Sequence, residues 1–436
     1  SMFAIVAFGL LVCWSNAVGG LILAQLKELG WTDNSTTATF SAITTAGMFL
    51  GALGGGIIGD KIGRKNAFIL YEAIHIIAMV VGAFSPNMTF LIACRFVMGV
   101  GLGALLVTLF AGFTEYMPGR NRGTWSSRVS FIGNWSYPLC SLIAMGLTPL
   151  ISAEWNWRVQ LLIPAVLSLM ATIIAWRRFP ESPRWLESRG RYAEAEKVMR
   201  AIEEGVVLQT GKPLPPVVIE DDGKAPRAVP YSALLTGVLL KRVILGSFVL
   251  IAMNVVQYTL INWLPTIFMT QGINLKDSIV LNTMSMFGAP FGIFIAMLVM
   301  DKIPRKTMGV GLLVLIAGLG YIYSLQTSML LITLIGFFLI TFVYMYVCYA
   351  SAVYVPEIWP TEAKLRGSGL ANAVGRISGI AAPYAVAVLL NSYGVTGVFV
   401  LLGAVSIIVA VAIATIGIET KGVSVESLGI DAVTSK

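Results

Sequence analysis

Long apolar stretches follow one another along almost the whole chain. Each is close to the ~20 residues that a helix needs to cross the ~30 Å hydrocarbon core of a bilayer. Because unpaired backbone groups are too costly in lipid, we expect each stretch to be a helix. The pattern predicts twelve spans, numbered 1 to 12 in chain order: 3–26, 38–59, 67–84, 88–113, 125–150, 157–176, 242–269, 278–300, 307–325, 328–354, 367–391 and 394–417.

One long polar stretch interrupts this series and divides the chain into two halves. Its first part has mixed charge at helical spacing, which predicts short amphipathic helices, and its second part is rich in Pro, Asp and Lys, as in linkers. The predicted domains are an N-terminal six-helix bundle (1–176), this polar segment (177–241), a C-terminal six-helix bundle (242–418) and a tail (419–436). The predicted fold is therefore an all-α polytopic membrane protein of two pseudo-symmetric bundles.

The composition excludes most other classes of protein. Hydrophobic residues make up 57% of the chain and charged residues 12%, whereas a soluble domain needs far more charge to cover its surface. The net charge of +8 is spread over loops without interleaved aromatic residues, so no nucleic-acid partner is expected. All four cysteines lie in apolar stretches, which indicates packing and predicts neither a metal nor a cofactor.

Lys and Arg residues collect in the connections on one side of the predicted membrane. The exceptions are Lys27, Arg158 and Lys276 at the opposite ends of spans, and Arg95 and Arg376 inside spans. Cytoplasmic connections carry the excess of basic residues in inner-membrane proteins. The sequence therefore predicts a multi-pass protein of the bacterial inner membrane whose two termini and polar segment are cytoplasmic.

Two charged motifs recur in the second half at nearly the same offset. Residues 59–65 after span 2 read Gly-Asp-Lys-Ile-Gly-Arg-Lys, and residues 300–306 after span 8 read Met-Asp-Lys-Ile-Pro-Arg-Lys. The other motif is an acid followed by Arg-Gly: Glu115 with Arg122 and Gly123 after span 4, and Glu357 with Arg366 and Gly367 after span 10. The halves are therefore predicted to be internal repeats.

Several motifs resemble those of the major facilitator superfamily over the whole chain. Residues 59–65 resemble the loop signature of that superfamily, and its fourth-helix pattern is matched by Arg95-Phe-Val-Met-Gly-Val-Gly-Leu-Gly103. Four further segments resemble motifs of its sugar-porter and organic-ion branches. They are Pro180-Glu-Ser-Pro-Arg-Trp-Leu186, Pro356-Glu-Ile-Trp-Pro-Thr361, Gly375-Arg376 and Glu419-Thr-Lys-Gly422. The resemblance implies alternating access, in which two halves rock about a central site, and a protein that is usually monomeric.

The duplicated charges are candidates for a cytoplasmic latch. Pairs between the halves would hold the outward-facing state and break when the inside opens. The alternative is that these charges only cap helices and supply the excess of basic residues on the cytoplasmic side. The repeated acid–base pattern favours the latch over this alternative. Arg128 either extends the latch or reaches the cytoplasm by snorkelling. The latch candidates are Asp60, Arg64, Glu115, Arg122, Arg128, Asp301, Arg305, Glu357 and Arg366.

Polar residues in span 7 predict a substrate site. Asn254, Gln257, Tyr258 and Asn262 recur at steps of three and four and so share one helix face. Amides both donate and accept hydrogen bonds, which suits a ligand with hydroxyl groups. The ring of Trp263 suits a sugar or an aromatic ligand. Lining a cavity is favoured here over hydrogen bonding between helices.

Other spans add candidates, although a tyrosine in a span is more often a packing residue than a ligand contact. They are Trp14 and Asn16 in span 1, Asn134, Trp135 and Tyr137 in span 5, Asn282 in span 8, Tyr346 and Tyr349 in span 10, and Asn372 in span 11. Gly133 and Pro138 predict a bend in span 5 near the middle of the membrane.

Arg376 lies about ten residues into span 11, where an unpaired cation costs several kcal/mol. One interpretation is a substrate carboxylate held by two hydrogen bonds, and the other is a set of backbone carbonyls at a helix break. The family resemblance implies that organic-anion transporters share an Arg at the matching position, whereas organic-cation relatives carry an acid there. Arg376 argues against a cationic substrate.

The candidates for proton coupling are Glu72 and His75, one turn apart in span 3, and Glu115. The favoured alternative for Glu72 is a solvated residue near the cytoplasmic end of its helix. Span 1 carries no acid at 13–20, where many related symporters have one, so uniport stays open.

The sequence therefore predicts a secondary transporter of a small polyhydroxylated metabolite, namely a sugar, polyol or sugar acid, with a proton as a candidate second partner. An aromatic or other organic anion is the alternative substrate. An enzyme is disfavoured because no catalytic motif lies at membrane depth, and a channel because no ring of charges recurs. A transporter-fold sensor is disfavoured by the short tail after span 12.

Overall fold

The computed structural model describes residues 2–116, 128, 130–178, 180–211, 231–300, 302–360 and 363–420. Every regular element in these residues is a helix, as predicted. Spans 1 to 4 are Met2–Glu28, Asn34–Ile62, Arg64–Ala83 and Met88–Tyr116. Span 5 is helical over 130–134 and Ser136–Leu147, and span 6 is Ala153–Arg178. The second half contains Gly237–Thr270, Leu275–Met286, Gly288–Val299, Arg305–Ser324, Met329–Cys348, a π-helix over Tyr349–Tyr354, Val355–Glu357 and Lys364–Ile416.

The last helix, Lys364–Ile416, contains two spans. Its 53 residues would extend roughly 80 Å if straight, far beyond the thickness of a bilayer core. Gly394 breaks it with φ 64° and ψ −157°, a conformation that only glycine adopts readily. Among the described residues nine helical segments are long and apolar enough to cross a membrane, this one included. Counting its two spans and adding spans 1 and 5 gives the twelve that the apolar pattern predicts.

Spans 5 and 8 are each interrupted by one residue in mid-helix. The interruptions lie at Trp135 and Phe287, three residues before Pro138 and Pro290. A proline has no N–H to donate and crowds the carbonyl one turn back, which weakens the helix at that point. Span 5 is therefore interrupted where Gly133 and Pro138 predict a bend, and span 8 contains a matching break that the sequence analysis did not predict.

Glycines bring helix backbones into contact at matching places in the two halves. A Cβ at Gly51 of span 2 would overlap the carbonyl of Val100 in span 4. A Cβ at Gly292 of span 8 would likewise overlap the carbonyl of Thr341 in span 10. Such small residues allow the close helix packing that holds bundles together in lipid. The repeat found in the loops thus extends to the packing of the helices.

The polar segment contains the helices Pro183–Ser188, Tyr192–Thr210 and Tyr231–Leu234 in its described part. Ser182 caps the first helix by accepting the Trp185 N–H. The second has 19 residues and is longer than the short helices predicted. The first long helix of the second half begins at Gly237, five residues before the predicted boundary, because Lys241 and Arg242 follow its apolar first turn and interrupt the apolar pattern.

Candidate functional site

The two halves meet through small side chains and amides. Gly20 in span 1 lies directly against the backbone of Ile261 in span 7. In spans 5 and 8, Asn282 donates to Ser141 at 3.0 Å. At the end of the molecule opposite the charged loops, Asn34 donates to Asn391 at 2.5 Å. Spans 1, 2 and 5 of the first half therefore contact spans 7, 11 and 8 of the second, respectively.

A polar cluster lies at the centre of this interface. The rings of Tyr137 and Tyr344 meet edge to face at 5.4 Å. The Tyr344 hydroxyl lies close to Tyr137, Gln257, Tyr258 and Cys13, yet it has no hydrogen-bond partner of standard geometry among the described residues. The cluster combines hydroxyl, amide and thiol groups from spans 1, 5, 7 and 10. It is a place where a ligand could touch both halves at once.

The sequence analysis predicted three members of this cluster and missed two. It assigned Cys13 to packing because a cysteine in an apolar stretch usually packs. It selected Tyr346 and Tyr349 instead of Tyr344 because their spacing of three residues implies a shared face. The sequence did place Tyr344 on a different face of span 10 from Tyr346 and Tyr349, and that face is the one that meets the central cluster.

The predicted polar face of span 7 is divided between different neighbours. Gln257 and Tyr258 are half-buried and belong to the central cluster. Asn254 is buried and donates to the Leu250 carbonyl of its own helix at 2.7 Å. Asn262 is buried beside Gly19 of span 1. Trp263 is fully buried, so its predicted ring contact with a ligand is wrong for this structure, because span 7 is surrounded by helices.

Tyr346 and Tyr349 pack inside the second half and do not line the central cluster. The Tyr346 hydroxyl donates to the Val249 carbonyl at 3.0 Å. Tyr349 stacks on Tyr354 with ring centroids 5.0 Å apart, and its hydroxyl lies against Gly309 of span 9. The predicted shared face exists, but it faces spans 7 and 9, so the prediction of ligand contact is wrong for both residues in this structure.

Aromatic side chains join the two helix breaks across the interface. Trp135, 38% exposed, meets Phe287 edge-on at 6.3 Å. One turn away, Phe131 and Phe294 lie 6.2 Å apart. These rings form an apolar wall between spans 5 and 8, which we call the aromatic wall. Of the predicted residues, only Trp135 belongs to it.

The remaining candidates differ in their access to the interface. Trp14 is buried and Asn16 is half-buried in span 1. Asn134 is half-buried and donates to the Ser130 carbonyl at 2.7 Å. Asn372 is exposed and donates to the Ser368 carbonyl one turn back. Amides in spans can satisfy themselves on their own helix, which weakens them as predictors of a site.

Arg376 lies where span 11 meets spans 2 and 7. The neighbouring Gly375 packs against Leu250 and Asn254, and Gly379, one turn further, lies beside Thr45 and Tyr258. The Nη1 of Arg376 is inaccessible to solvent and has no hydrogen-bond partner in the part of the chain that the structure describes. An unpaired guanidinium inside a membrane protein is costly. Arg376 is therefore available to an anionic group placed between the halves.

A second group of buried polar residues lies within the first half. Glu72 is 1% exposed and its Oε2 has no described partner, so its interpretation as a solvated residue is wrong. His75 is also buried, and its Nδ1 lies 3.3 Å from the Met98 carbonyl. Both residues face the packed interior because the helices around span 3 cover this side of it. The Glu115 side chain lies outside the described residues.

The charged loops make their described ion pairs within one half. Arg64 pairs with Asp60 at 2.6 Å. Arg305 pairs with Glu357 at 3.0 Å, and Thr420 donates to the same carboxylate at 2.6 Å. Glu357 therefore pairs within its own half in this structure, and its pairing across the interface stays a prediction for another conformational state.

The other latch candidates contribute less to this picture. Arg128 is exposed at the start of span 5, and Arg366 is half-buried near the start of span 11. Arg122 and Asp301 lie outside the described residues. The latch therefore stays a prediction that another conformational state would have to satisfy.

Comparison with known proteins gives extended matches over the whole chain. The family described as "Major Facilitator Superfamily" matches residues 3–383 and 281–432. The chain is 94% identical over 436 residues to the "Putative metabolite transport protein YdjK" of Escherichia coli K12, covering 100% of this chain and 95% of that protein. It is 42% identical to the "Inner membrane metabolite transport protein YdjE" of the same organism, covering 98% and 94%.

More distant matches carry more specific names. The niacin transporter NiaP of Acinetobacter baylyi is 27% identical, with 88% of this chain and 85% of that protein covered. Among solved structures, a partially occluded inward-open form of the xylose transporter XylE from E. coli aligns with a TM-score of 0.77 at 18% identity. That alignment covers 97% of this chain and 98% of the other.

Proposed function

Because the chain belongs to the Major Facilitator Superfamily, we propose that it carries a sugar acid across the inner membrane by alternating access of its two halves. The coarser function is established by the family: the protein is a multi-pass inner-membrane metabolite transporter and not an enzyme. The choice of a sugar acid rests on one observation: the Nη1 of Arg376 is inaccessible to solvent and has no hydrogen-bond partner among the described residues.

The carboxylate of the substrate binds Arg376 in this proposal. A carboxylate matches the planar guanidinium through two parallel hydrogen bonds, and such charge-assisted bonds are the strong ones. Span 11 supports the position, because Gly379 touches Tyr258 of the central cluster one turn beyond Arg376. The substrate carboxylate would also neutralise a charge that is otherwise costly at this depth.

The hydroxyl groups of the substrate bind the central cluster. The Tyr344 hydroxyl and the Gln257 amide supply donors and acceptors from the second half, and Tyr137 supplies a hydroxyl from the first. A ligand that binds both halves favours the conformational state in which both halves contact the ligand. The substrate thereby drives the transition between the two open states. Both termini and the polar segment are cytoplasmic in this proposal, in agreement with the positions of the basic residues.

An aromatic acid is the second candidate. The aromatic wall of Trp135, Phe287, Phe131 and Phe294 offers ring edges and faces to a planar ligand. A relative that is 27% identical carries the name niacin transporter, and niacin is an aromatic acid. Arg376 would hold the carboxylate in this case as well, so the two candidates differ in the rest of the ligand.

Thermal stability of the detergent-purified protein in the presence of ligands tests this proposal. The panel contains glucuronate and galacturonate, the matching neutral sugars, and nicotinate. A ligand at 100 times its Kd stabilises the folded state by about 2.7 kcal/mol and raises Tm accordingly. We expect a sugar acid to raise Tm, Arg376→Ala to abolish the rise, and Asn372→Ala, one turn away and exposed, to retain it.

Two other outcomes are informative. If neutral sugars raise Tm as much as sugar acids do, and Arg376→Ala retains that effect, the proposed role of Arg376 is wrong. If nicotinate raises Tm and the sugar acids do not, the second candidate replaces the first.

A further inference from the structure

A separate pocket of about 500 Å³ lies at the end of the first half opposite the charged loops. It opens where span 1 ends, where span 3 ends and where span 6 begins. Its lining residues come from these three places: Leu29 and Trp31, then Phe84, Ser85 and Pro86, then Glu154, Trp155, Trp157 and Arg158. None of these residues belongs to the central cluster, the aromatic wall or the charged loops.

Arg158 is held rigidly in this pocket with part of its guanidinium unused. Its Nη1 donates to the carbonyls of Ala83 at 2.6 Å and Ser85 at 3.2 Å, which fixes the side chain against the end of span 3. The Trp157 ring lies 4.3 Å from the guanidinium carbon, and the Trp31 and Trp155 rings lie at about 6 Å. The other guanidinium nitrogens make no described hydrogen bond. They are therefore positioned donors for an anionic group.

The pocket also contains an acidic group and an exposed aromatic face. Glu154 is exposed one turn before Arg158 on the same helix, and the two make no ion pair in the described structure. Trp155, between them in sequence, is 52% exposed. A carboxylate and a tryptophan face are both groups that attract an ammonium ion. The pocket thus presents an anion site and a cation site roughly one helical turn, about 5 Å, apart.

We propose that this pocket binds the headgroup of a zwitterionic phospholipid with a primary ammonium group, a phosphoethanolamine lipid. Its phosphate lies on Arg158, and its ammonium group lies between Glu154 and Trp155. The pocket sits at the ends of three spans, which is the level of lipid headgroups, and Phe84 at its rim is 59% exposed. An acyl chain can continue from that rim along the apolar outer surface of the bundle.

Native mass spectrometry of the detergent-purified full chain tests the proposal. The protein is titrated with phosphatidylethanolamine and, separately, with phosphatidylglycerol, which keeps the phosphate and lacks the ammonium group. We expect one ethanolamine lipid to bind the wild type more tightly than the glycerol lipid. Trp155→Ala should weaken that binding about fivefold, by loss of a cation–π contact. Glu154→Gln should remove the preference between the two lipids.

Trp176→Ala is the matched control, because Trp176 is a 61% exposed tryptophan at the other end of the same helix. It should leave the binding of both lipids unchanged. Equal binding of the two lipids by the wild type, or equal losses in Trp155→Ala and Trp176→Ala, would mean that the pocket is an unspecific aromatic belt and the proposal is wrong. A second measurement uses soluble glycerophosphoethanolamine: if it raises the Tm of the wild type and not that of Trp155→Ala, headgroup recognition is supported. If a sugar acid gives that same pattern, the proposal is wrong. This result does not depend on whether the substrate named under the proposed function is correct.

Discussion

In both halves, a glutamate far along the chain caps the helix that follows the duplicated charged loop. Glu181, after span 6, accepts the N–H groups of Arg64 at 2.7 Å and Lys65 at 3.1 Å. Glu419, after span 12, accepts those of Arg305 at 2.7 Å and Lys306 at 3.1 Å. The first N–H groups of a helix have no partner within it, and the positive end of the helix dipole favours a carboxylate there.

The arginines of the same two loops form different ion pairs. Arg64 reaches back one turn to Asp60, whose side chain is 70% exposed. Arg305 is 7% exposed, binds Glu357 through two nitrogens at 3.0 and 3.1 Å, and also donates to the Met300 carbonyl. The cap is shared because it depends on backbone geometry that the two halves have in common. The side-chain pairs differ because each depends on the neighbours that packing supplies.

The largest expected effect is the loss of Arg305. Arg305→Ala removes a buried guanidinium that binds Glu357 through two nitrogens. It leaves the Glu357 carboxylate, which is 34% exposed, with the Thr420 hydroxyl, and this loss of charged hydrogen bonds costs about 2 kcal/mol. Tm of the detergent-purified protein measures the loss. Arg305→Lys should recover only part of the stability, because lysine cannot form the two-nitrogen bond. A Tm equal to that of Asp60→Ala, which loses only the exposed pair of the first loop, would mean that the two loops do not differ as the structure indicates.

The two glutamate caps should matter equally. Glu181→Ala and Glu419→Ala each remove an acceptor from two backbone N–H groups, and each should cost about 1 kcal/mol. Parallel Tm measurements on the two variants check this, with Glu187→Ala, an exposed residue of the polar segment, as the control. A clear effect in one half and none in the other would contradict the shared role of the caps.

The smallest expected effect is the loss of Asp60 from its pair with Arg64. Asp60→Ala should cost about 0.5 kcal/mol, because the Asp60 side chain is 70% exposed and exposed ion pairs one turn apart contribute little. Raising the salt to roughly 1 M should reduce this cost, since it shortens the screening length to about 3 Å. Tm at low and high salt, measured in the same detergent, separates this pair from the more buried Arg305 pair, which salt should affect less.

The break in span 8 illustrates how far sequence signals reach. Gly133 and Pro138 indicated the bend in span 5, and Gly288 and Pro290 carry the same signal in span 8. The signal was therefore available for both helices. The contact between the two breaks, Trp135 on Phe287, was not, because it joins residues from different halves.

The candidate site divides in the same way. Gln257, Tyr258 and Tyr137 were predicted as ligand contacts, and all three lie in the central cluster. Trp263, Tyr346 and Tyr349 were also predicted as ligand contacts, and all three are buried outside this cluster. Periodicity assigns residues to a shared helix face, but a helix inside a bundle has neighbours on every side. Which face meets the gap between the halves depends on how the bundle is packed.

The sequence by itself determined the apolar stretches, the duplicated charged motifs and the resemblance to the family, because the length of a span and the cost of a buried charge are properties of the local chain in lipid. Only the tertiary structure decided which partners the charged residues take. It buried Glu72, paired Arg305 with Glu357, and left the Nη1 of Arg376 without a partner among the described residues. These outcomes depend on contacts between residues far apart in the chain, and the packing of helices alone brings such residues together.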